Sequence, residues 1–407
     1  MDFRYSTEQE LFRQMLREWV TKNLEPRSRS IDREENGIPA DITQGLADLG
    51  VFGVTIPEEY GGCAVPGEEL IYGMIAIHEI ARGELSMSVP VYTLLTIGWS
   101  YIVNLFGTER LKQEVLPAVA AGKAFAGINT TEPGGGSDLA QIKTRAVKKG
   151  DVYVVNGEKV YVSGPKECER LGAPSGHCSL VVTDPAAGYR GLTFLWIPSH
   201  LPGITSRVFD DMGRMGLSTG GWLYRDVEVP DYCLLGEEGR GFNHVMHGFN
   251  CARILVAAAC LGAAERALEI SAEYCTQRKT FGRPLIKNEG ISFEMVNDWM
   301  QLDMLKLNLL RGAWMIGYES QNPGTFSRKD INTVVATCKC LSPTLGHDVA
   351  RHGMIYHGAF GYTKDTPLEM LLRGVMSYEV GAEGGLNIMR GIIARDLWGD
   401  AANPFKD

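Results

Sequence analysis

Thr131-Glu132-Pro133-Gly134-Gly135-Gly136-Ser137-Asp138 is the string on which the reading of this chain turns. Three consecutive glycines cannot hold a strand interior, because they pack no side chain and lose the most entropy on ordering. Such a run instead allows close approach. With no Cβ in the way, backbone N–H groups can lie against a flat ring or an anion. A plain surface loop is the rival reading. Glycine is in excess throughout, with 48 of 407 residues and no collagen-like period.

Outward from this string the texture changes twice. Residues 152–155, then Asn156-Gly157, then 160–162 alternate as strand, turn and strand, and Asn-Gly predicts a hairpin there. Residues 192–197 and 223–229 read as further strands. On the N-terminal side, Thr7-Glu8-Gln9-Glu10 reads as a capping box. Leu11, Phe12, Met15, Leu16, Trp19, Val20 and Leu24 follow at helical spacing, with Pro26 beyond. Residues 69–80 and 99–116 repeat that style. On the C-terminal side, helices are expected over 242–275, 293–318, 330–353 and 385–398. The stripe of Phe293, Val296, Met300, Met304, Leu307 and Leu310 is expected to be core. The fold class is therefore α+β in three blocks: helical over 1–123, β over 124–237, and a helix bundle over 238–407.

Composition narrows the function. Forty Lys and Arg against 49 Asp and Glu leave a net charge of −9. No basic run neutralises phosphates, so nucleic acid is not an expected partner. The uncharged apolar stretch between Arg253 and Glu265 falls short of the ~20 residues that span a bilayer. Met1-Asp2-Phe3-Arg4-Tyr5 opens no signal-peptide core. No membrane association is expected, and the location expected is cytoplasmic. Nine cysteines, an odd number with no Cys-x-x-Cys, are expected as free thiols, Cys338-Lys339-Cys340 being the closest pair. The eight histidines show no zinc spacing, and no metal is expected. Neither a strand-linked Gly-x-Gly-x-x-Gly nor a P-loop occurs.

The opening string resembles the flavin loop of the acyl-CoA dehydrogenase family, Thr-Glu-Pro-x-x-Gly-Ser-Asp. Other motifs of that family follow in order. They are Ile56-Pro57-Glu58-Glu59-Tyr60-Gly61-Gly62, Asn156-Gly157-x-Lys159-x-Tyr161-Val162-Ser163, Arg278-Lys279-Thr280-Phe281-Gly282-Arg283-Pro284, Gly358-Ala359-Phe360-Gly361-Tyr362 and Ile392-Ile393-Ala394-Arg395. The resemblance covers essentially the whole chain. It implies an N-terminal helical domain, a central β domain and a C-terminal four-helix bundle. It also implies bound FAD, a homotetramer built as a dimer of dimers, and electrons passed to electron-transferring flavoprotein. The implied reaction is α,β-dehydrogenation of an acyl-CoA thioester. A Glu removes the Cα proton and a hydride passes from Cβ to flavin N5.

The base is expected at Glu383. In the family a Glu-Gly stands nine residues before the Ile-Ile-Ala-Arg helix, and counting back from Ile392 reaches Glu383-Gly384. Glu379, in Tyr378-Glu379, is the rival. A buried carboxylate suits the role because desolvation raises its pKa. Ala382 stands before the base where the family usually has an aromatic. The base position used in some branches is Ala252 here. Arg253 matches the family arginine near the base, a structural ion pair being its alternative. By the same resemblance Thr131, Ser137, Tyr161 and Ser163 line the isoalloxazine, Tyr161 replacing the common Trp. Arg278, Thr280, Phe281 and Gly358 are expected to reach FAD across subunits. Gly385 and Asn387 are expected near the cofactor as well.

The substrate side departs from the pattern. The texture is nearest the glutaryl-CoA dehydrogenase branch, where an Arg precedes a Ser-Met-Ser-Val stretch and holds the distal carboxylate. Here Ser86-Met87-Ser88-Val89 is preceded by Glu84, so another cation such as Arg82 would be required. An exposed helix residue is the plain alternative for Glu84. Tyr92, Leu94 and Trp99 are expected along the acyl pocket, with Ser137, Arg253 and Gly384 also facing substrate. Together with Ala382 they suggest a cyclic, aromatic, branched or dicarboxylic acyl group. Residues 164–177 are longer than the family norm and are expected to shape the pocket or the redox-partner surface, or to be a passive loop. The rival functions are an acyl-CoA oxidase and a non-catalytic CoA-binding protein on the same fold.

Overall fold

A computed structural model describes residues 3–33 and 37–404. Met1 and Asp2 of the N-terminal reading lie outside the described residues. The chain begins with helices because its apolar residues recur with helical period. These are α1 (Thr7–Trp19), the short α2 (Ser28–Ile31), α3 (Ala40–Asp48), α4 (Glu69–Gly83), α5 (Ser88–Phe106) and α6 (Glu109–Ala120). The capping box exists one residue earlier than expected. Ser6 Oγ accepts from Gln9 N, and the Gln9 side chain accepts from Ser6 N. The helix expected over 99–116 is two helices. Gly107 breaks the run, and Thr108 caps α6 by accepting from Leu111 N at 3.3 Å.

The strands follow: β1 (Ala126–Asn129), β2 (Arg145–Lys149), β3 (Val152–Ser163), β4 (Gly176–Val182), β5 (Leu192–Pro198), β6 (Ile204–Val208) and β7 (Thr219–Pro230), with helix α7 (Pro165–Leu171) between β3 and β4. They form one sheet in the order β1-β4-β2-β3-β7-β6, with β5 on β4. The expected hairpin at Asn156-Gly157 is a misreading. Strand β3 runs straight through it, and the hairpin turn is at Gly150-Asp151, between β2 and β3. Asn156-Gly157 is instead a bulge against β7. Gly157 has φ 151°, and a Cβ there would stand 2.5 Å from Thr144 Oγ1. The glycine is needed for close approach rather than for a turn. Gly157→Ala is expected to lower the thermal midpoint by several degrees, for an overpacking cost of about 1–3 kcal/mol. Scanning fluorimetry checks this, and an unmoved midpoint would show that the bulge has room.

The last block holds α8 (Gly241–Gln277), a small ribbon of β8 (Lys279–Thr280) and β9 (Arg283–Pro284), then α9 (Glu289–Gln321), α10 (Arg328–Tyr356), α11 (Leu368–Val380) and α12 (Leu386–Trp398). The fold is thus an N-terminal helical domain, a central curled sheet and a C-terminal helix bundle. Helices α5 and α8 are apolar and long enough to cross a membrane by length and composition. In both, 83% of the most apolar window is buried inside the protein, as in core helices. The free-thiol expectation holds: seven of the nine cysteines are buried, and all nine are unbridged.

The apolar stripe on α9 is not core. Phe293, Val296, Met300, Met304 and Leu307 are exposed, together with Trp299. Helix α9 packs through its other face, where Met295, Leu302, Leu305, Leu309 and Ala313 are buried. Two apolar faces on one helix cannot both be satisfied within a single copy of this chain.

Candidate active site

The glycine loop is built on a buried ion pair. Lys159, fully buried in β3, donates from Nζ to Glu132 Oε1 at 2.9 Å and to Thr130 O at 3.1 Å. The Glu132 oxygens also accept from Lys143 N and Thr144 N at 2.6 and 2.9 Å. Burial pushes the lysine down to about 8, against the pull of Glu132. The paired and hydrogen-bonded Glu132 lies below the usual carboxylate range although burial alone would raise it. Glu132 and Gly135 exchange backbone hydrogen bonds, and Val160 N donates to Thr131 O. The start of the loop is therefore tied to β3 and to the residues just before β2. Gly134 and Gly135 face open space, since a Cβ at either would meet nothing within 4 Å, whereas one at Gly136 would lie 3.0 Å from Thr131 Cγ2. Ser137 is exposed beside them.

Strand β3 then presents Tyr161. A second register shift falls between Val160 and Val162, and Tyr161 has φ 57°. The bulge turns the ring outward, 73% exposed and 5.6 Å from the Phe209 ring. Two residues on, Ser163 pairs with Thr219 of β7, and its carbonyl accepts from His177 Nε2. An exposed aromatic beside an open glycine loop is an edge onto which a flat ring fits.

Glu383 sits in the loop between α11 and α12. Ala382, Glu383 and Gly384 have φ values of 50°, 48° and 101°. Two non-glycine residues in the left-handed region cost about 1–3 kcal/mol each and persist only where their surroundings hold them. Arg253, buried in α8, donates from Nε to Glu383 O at 2.9 Å. Its Nη1 donates to Asn250 Oδ1 at 3.0 Å. Arg253 is thus tied to the backbone of the Glu383 loop and makes no salt bridge among the described residues. Burial lowers its guanidinium to about 10, opposed by the Glu383 charge. The Glu383 carboxyl is buried and Oε2 has no hydrogen-bond partner. Desolvation raises its pKa, while Lys339, Arg253 and Arg214 pull it back. A buried carboxyl with a raised pKa and an unpartnered oxygen is what proton abstraction requires. Glu379 differs: it is half-buried at the end of α11, 3.2 Å from His347 Nδ1.

Of the residues expected along the acyl pocket, Trp99 is the one linked to this centre among the described contacts. The Trp99 ring meets Phe249 at 6.1 Å, and Phe249 lies 5.7 Å under the Arg253 guanidinium. Trp99 therefore backs the site from the core rather than presenting a face to it. Tyr92 is also fully buried, against Phe52 and Phe125, and senses Arg170, Glu167 and Cys168 of the 164–177 segment. That segment is not a passive loop. It folds as α7, where Glu167 accepts from Ser218 and Arg170 donates to Ile38 O. Leu94 lies buried on α5. Glu84 is neither exposed nor open to a ligand. It is buried, and its two oxygens accept from Ser86 N and Val89 N at 2.8 and 2.9 Å, at the start of α5. Burial raises it to about 7. Arg82 is engaged by Glu265 and Glu269.

A second cluster forms on the outside of the bundle. Arg278 and Phe281 are exposed in the β8–β9 ribbon, with Thr280 half-buried between them. Gly358 is exposed in the turn after α10. Tyr274 joins the two elements. It stacks on His357 at 4.0 Å, and its carbonyl accepts from Arg278 N. Asn387 is exposed at the start of α12 and accepts from Arg390, and Gly385 is the N-cap of that helix. Among the described residues no hydrogen bond joins the Tyr274 cluster to Glu383. Phe281, at φ 50°, and Gly282, at φ 80°, form the two-residue turn of the β8–β9 hairpin, which requires positive φ at both positions, and the Phe281 ring lies wholly in solvent.

Three family models match successive stretches of the chain. Residues 6–123 match the acyl-CoA dehydrogenase N-terminal domain, 127–227 the middle domain and 239–398 the C-terminal domain. The chain belongs to the acyl-CoA dehydrogenase family. It is 30% identical to the glutaryl-CoA dehydrogenase of Desulfococcus multivorans, over 98% of each chain. It is also 30% identical to an acyl-CoA dehydrogenase of Bacillus subtilis, over 96% of this chain and 98% of the relative. The solved glutaryl-coenzyme A dehydrogenase–glutaryl-CoA complex superposes with a TM-score of 0.88 at 29% identity, covering 99% and 98% of the two chains. Like its family, the chain is an FAD-dependent oxidoreductase.

Lys339, Phe249 and Arg214 were not singled out from the sequence. For Lys339 a signal existed: Val335, Ala336, Ser342 and Pro343, at helical spacing on either side, are apolar or small. A lysine there lies on a buried face.

Proposed function

We propose that this acyl-CoA dehydrogenase oxidises a compact acyl-CoA thioester at Cα–Cβ, with Glu383 as the base. The supporting observation is the buried Glu383 carboxyl with an unpartnered oxygen, on a loop held by Arg253. FAD supplies the acceptor for the Cβ hydride. Thr131, Ser137, Tyr161 and Ser163 are the residues that would hold its ring, and the open glycine loop with the exposed Tyr161 fits that use. Arg278, Thr280, Phe281, Gly358, Gly385 and Asn387 are assigned to the rest of the cofactor, in part from a neighbouring copy. Glu383 takes the Cα proton. The backbone N–H of the same residue is assigned to donate to the thioester oxygen as enolate charge develops. Arg253 and Gly384 keep the loop in the left-handed conformation that presents both groups.

Ala382 beside the base leaves room at Cα, which supports a branched, cyclic or aromatic acyl group. Glu84 and Arg82 are both occupied, so neither offers a site for the far carboxylate of a dicarboxylic substrate. The exposed stripe on α9 and the exposed Phe281 ring support assembly with further copies, as a dimer of dimers. Electron-transferring flavoprotein is the proposed acceptor. Anaerobic bleaching of the flavin tests the reading. Isobutyryl-, cyclohexanecarboxyl- and phenylpropionyl-CoA are expected to outpace octanoyl- and glutaryl-CoA. Fastest reduction by the straight chain would sink the substrate class, and no bleaching by any thioester would return the chain to a binding role. Stoichiometric peroxide in air would make it an oxidase.

A further inference from the structure

We propose that Lys339 is a positioning residue for the Glu383 base, pinning the loop that carries it and setting a fixed positive charge behind it. The inference rests on the reading of Glu383 as the base. Lys339 lies in α10, fully buried, on a different helix from either end of that loop. Its Nζ donates to Tyr378 O at 2.6 Å, in the last turn of α11, and to Gly384 O at 3.2 Å. One ammonium therefore closes the span from the end of α11 to the residue after the base. Arg253 holds the carbonyl of Glu383, and Lys339 holds the next one. Two consecutive carbonyls of a strained segment are thus each held by a buried cation from a different helix. Holding both carbonyls at once fixes the peptide between Glu383 and Gly384, and with it the direction of the carboxyl.

The charge matters as well as the hydrogen bonds. The ionic and titratable groups around Glu383 are Lys339 from α10, Arg253 from α8, Arg214 from the β6–β7 connection and Tyr378 from α11. Around Lys339 they are Glu383, Cys260, Arg253 and Cys340. Lys339 forms no salt-bridge contact with a carboxylate among the described residues, and Glu383 heads the charges that hold its proton on. Of the cations that favour ionised Glu383, Lys339 has the largest influence. Burial nevertheless lowers the ammonium to about 8. Removing this charge leaves desolvation less opposed, so the carboxyl titrates at higher pH and less of it is ionised at a given acidic pH.

The test separates proton removal from hydride transfer. 3-Thiabutyryl-CoA carries sulfur in place of Cβ, so it has no Cβ hydride to lose. Deuterium entering its Cα from D2O in the FAD-loaded enzyme, followed by mass spectrometry, reports the base alone. Lys339→Gln keeps N–H donors for the two carbonyls and removes the charge; Lys339→Met removes both. For Lys339→Gln the acidic limb of the exchange profile is expected to move up by about one pH unit, a tenfold loss of rate below the limb. Thioester affinity is expected to be unchanged. For Lys339→Met a further loss at all pH values is expected. A Lys339→Gln profile that overlies the wild type overturns the proposal, as does a parallel fall at every pH with no shifted limb. Glu383→Gln is the control. Exchange at the wild-type rate in that variant would defeat the base assignment itself. Silence there with an unaltered Lys339→Gln profile would defeat only the role of Lys339.

Discussion

Glu383→Gln is expected to keep the fold, the FAD and the thioester affinity while losing about 10⁴-fold in turnover. That is the upper end of what a positioned general base contributes. The change is nearly isosteric and leaves the Arg253 bond to the backbone carbonyl of residue 383 in place. What it removes is the unpartnered carboxylate oxygen. An amide oxygen is far too weak a base to take a Cα proton. The wild-type pH profile should agree. Burial raises the Glu383 pKa, so the acidic limb of kcat/KM is expected above the ordinary carboxylate range. Activity falls as pH drops through that raised value, because the base is then protonated. Single-turnover flavin reduction measures both effects. Full activity in Glu383→Gln would move the role to Glu379, against its exposure and its His347 partner.

Arg253→Met should be the second largest loss, about 10²-fold in turnover with a smaller change in KM. The guanidinium is buried and donates to the carbonyl of the base residue itself. Without it, a buried carbonyl loses a charge-assisted hydrogen bond, a cost of about 2–3 kcal/mol. Residues 382–384 then relax from their left-handed conformation, and the carboxyl loses its aim. One of the three cations favouring ionised Glu383 also goes, so the acidic limb should move upward. Arg253→Lys keeps the charge without the Nε donor and should recover the limb more than the rate. Rates within twofold of wild type in Arg253→Met would show that the loop holds itself.

Much of this was legible in the linear chain, and the errors have specific causes. Helix existence in the first and last blocks followed from periodicity, since a helix buries one face whatever it packs against. The Asn156-Gly157 turn failed because the same dipeptide serves a bulge. The deciding contact, Thr144 against residue 157, comes from the residue just before β2. The α9 stripe failed because periodicity identifies an apolar face without saying which molecule covers it. The sequence offers Glu84 as an exposed helix residue or as the occupant of the family's substrate-arginine position, because a carboxylate reaching forward to Val89 N leaves no mark in composition.

The candidate site divides in the same way. Ordered motifs locate the glycine loop, Tyr161, Arg253 and Glu383, because each demands a residue type at a position: no Cβ in the loop, an aromatic at its edge, a carboxylate before glycine. Those demands are local, and a sequence records them. The tertiary structure alone decided which of two nearby glutamates loses its water and which keeps a histidine partner. It also decided that Lys339 of α10 meets a carbonyl 45 residues away in the base loop. Desolvation and pairing depend on what other helices bring to the same few ångströms, and that arrangement exists only once the chain has folded.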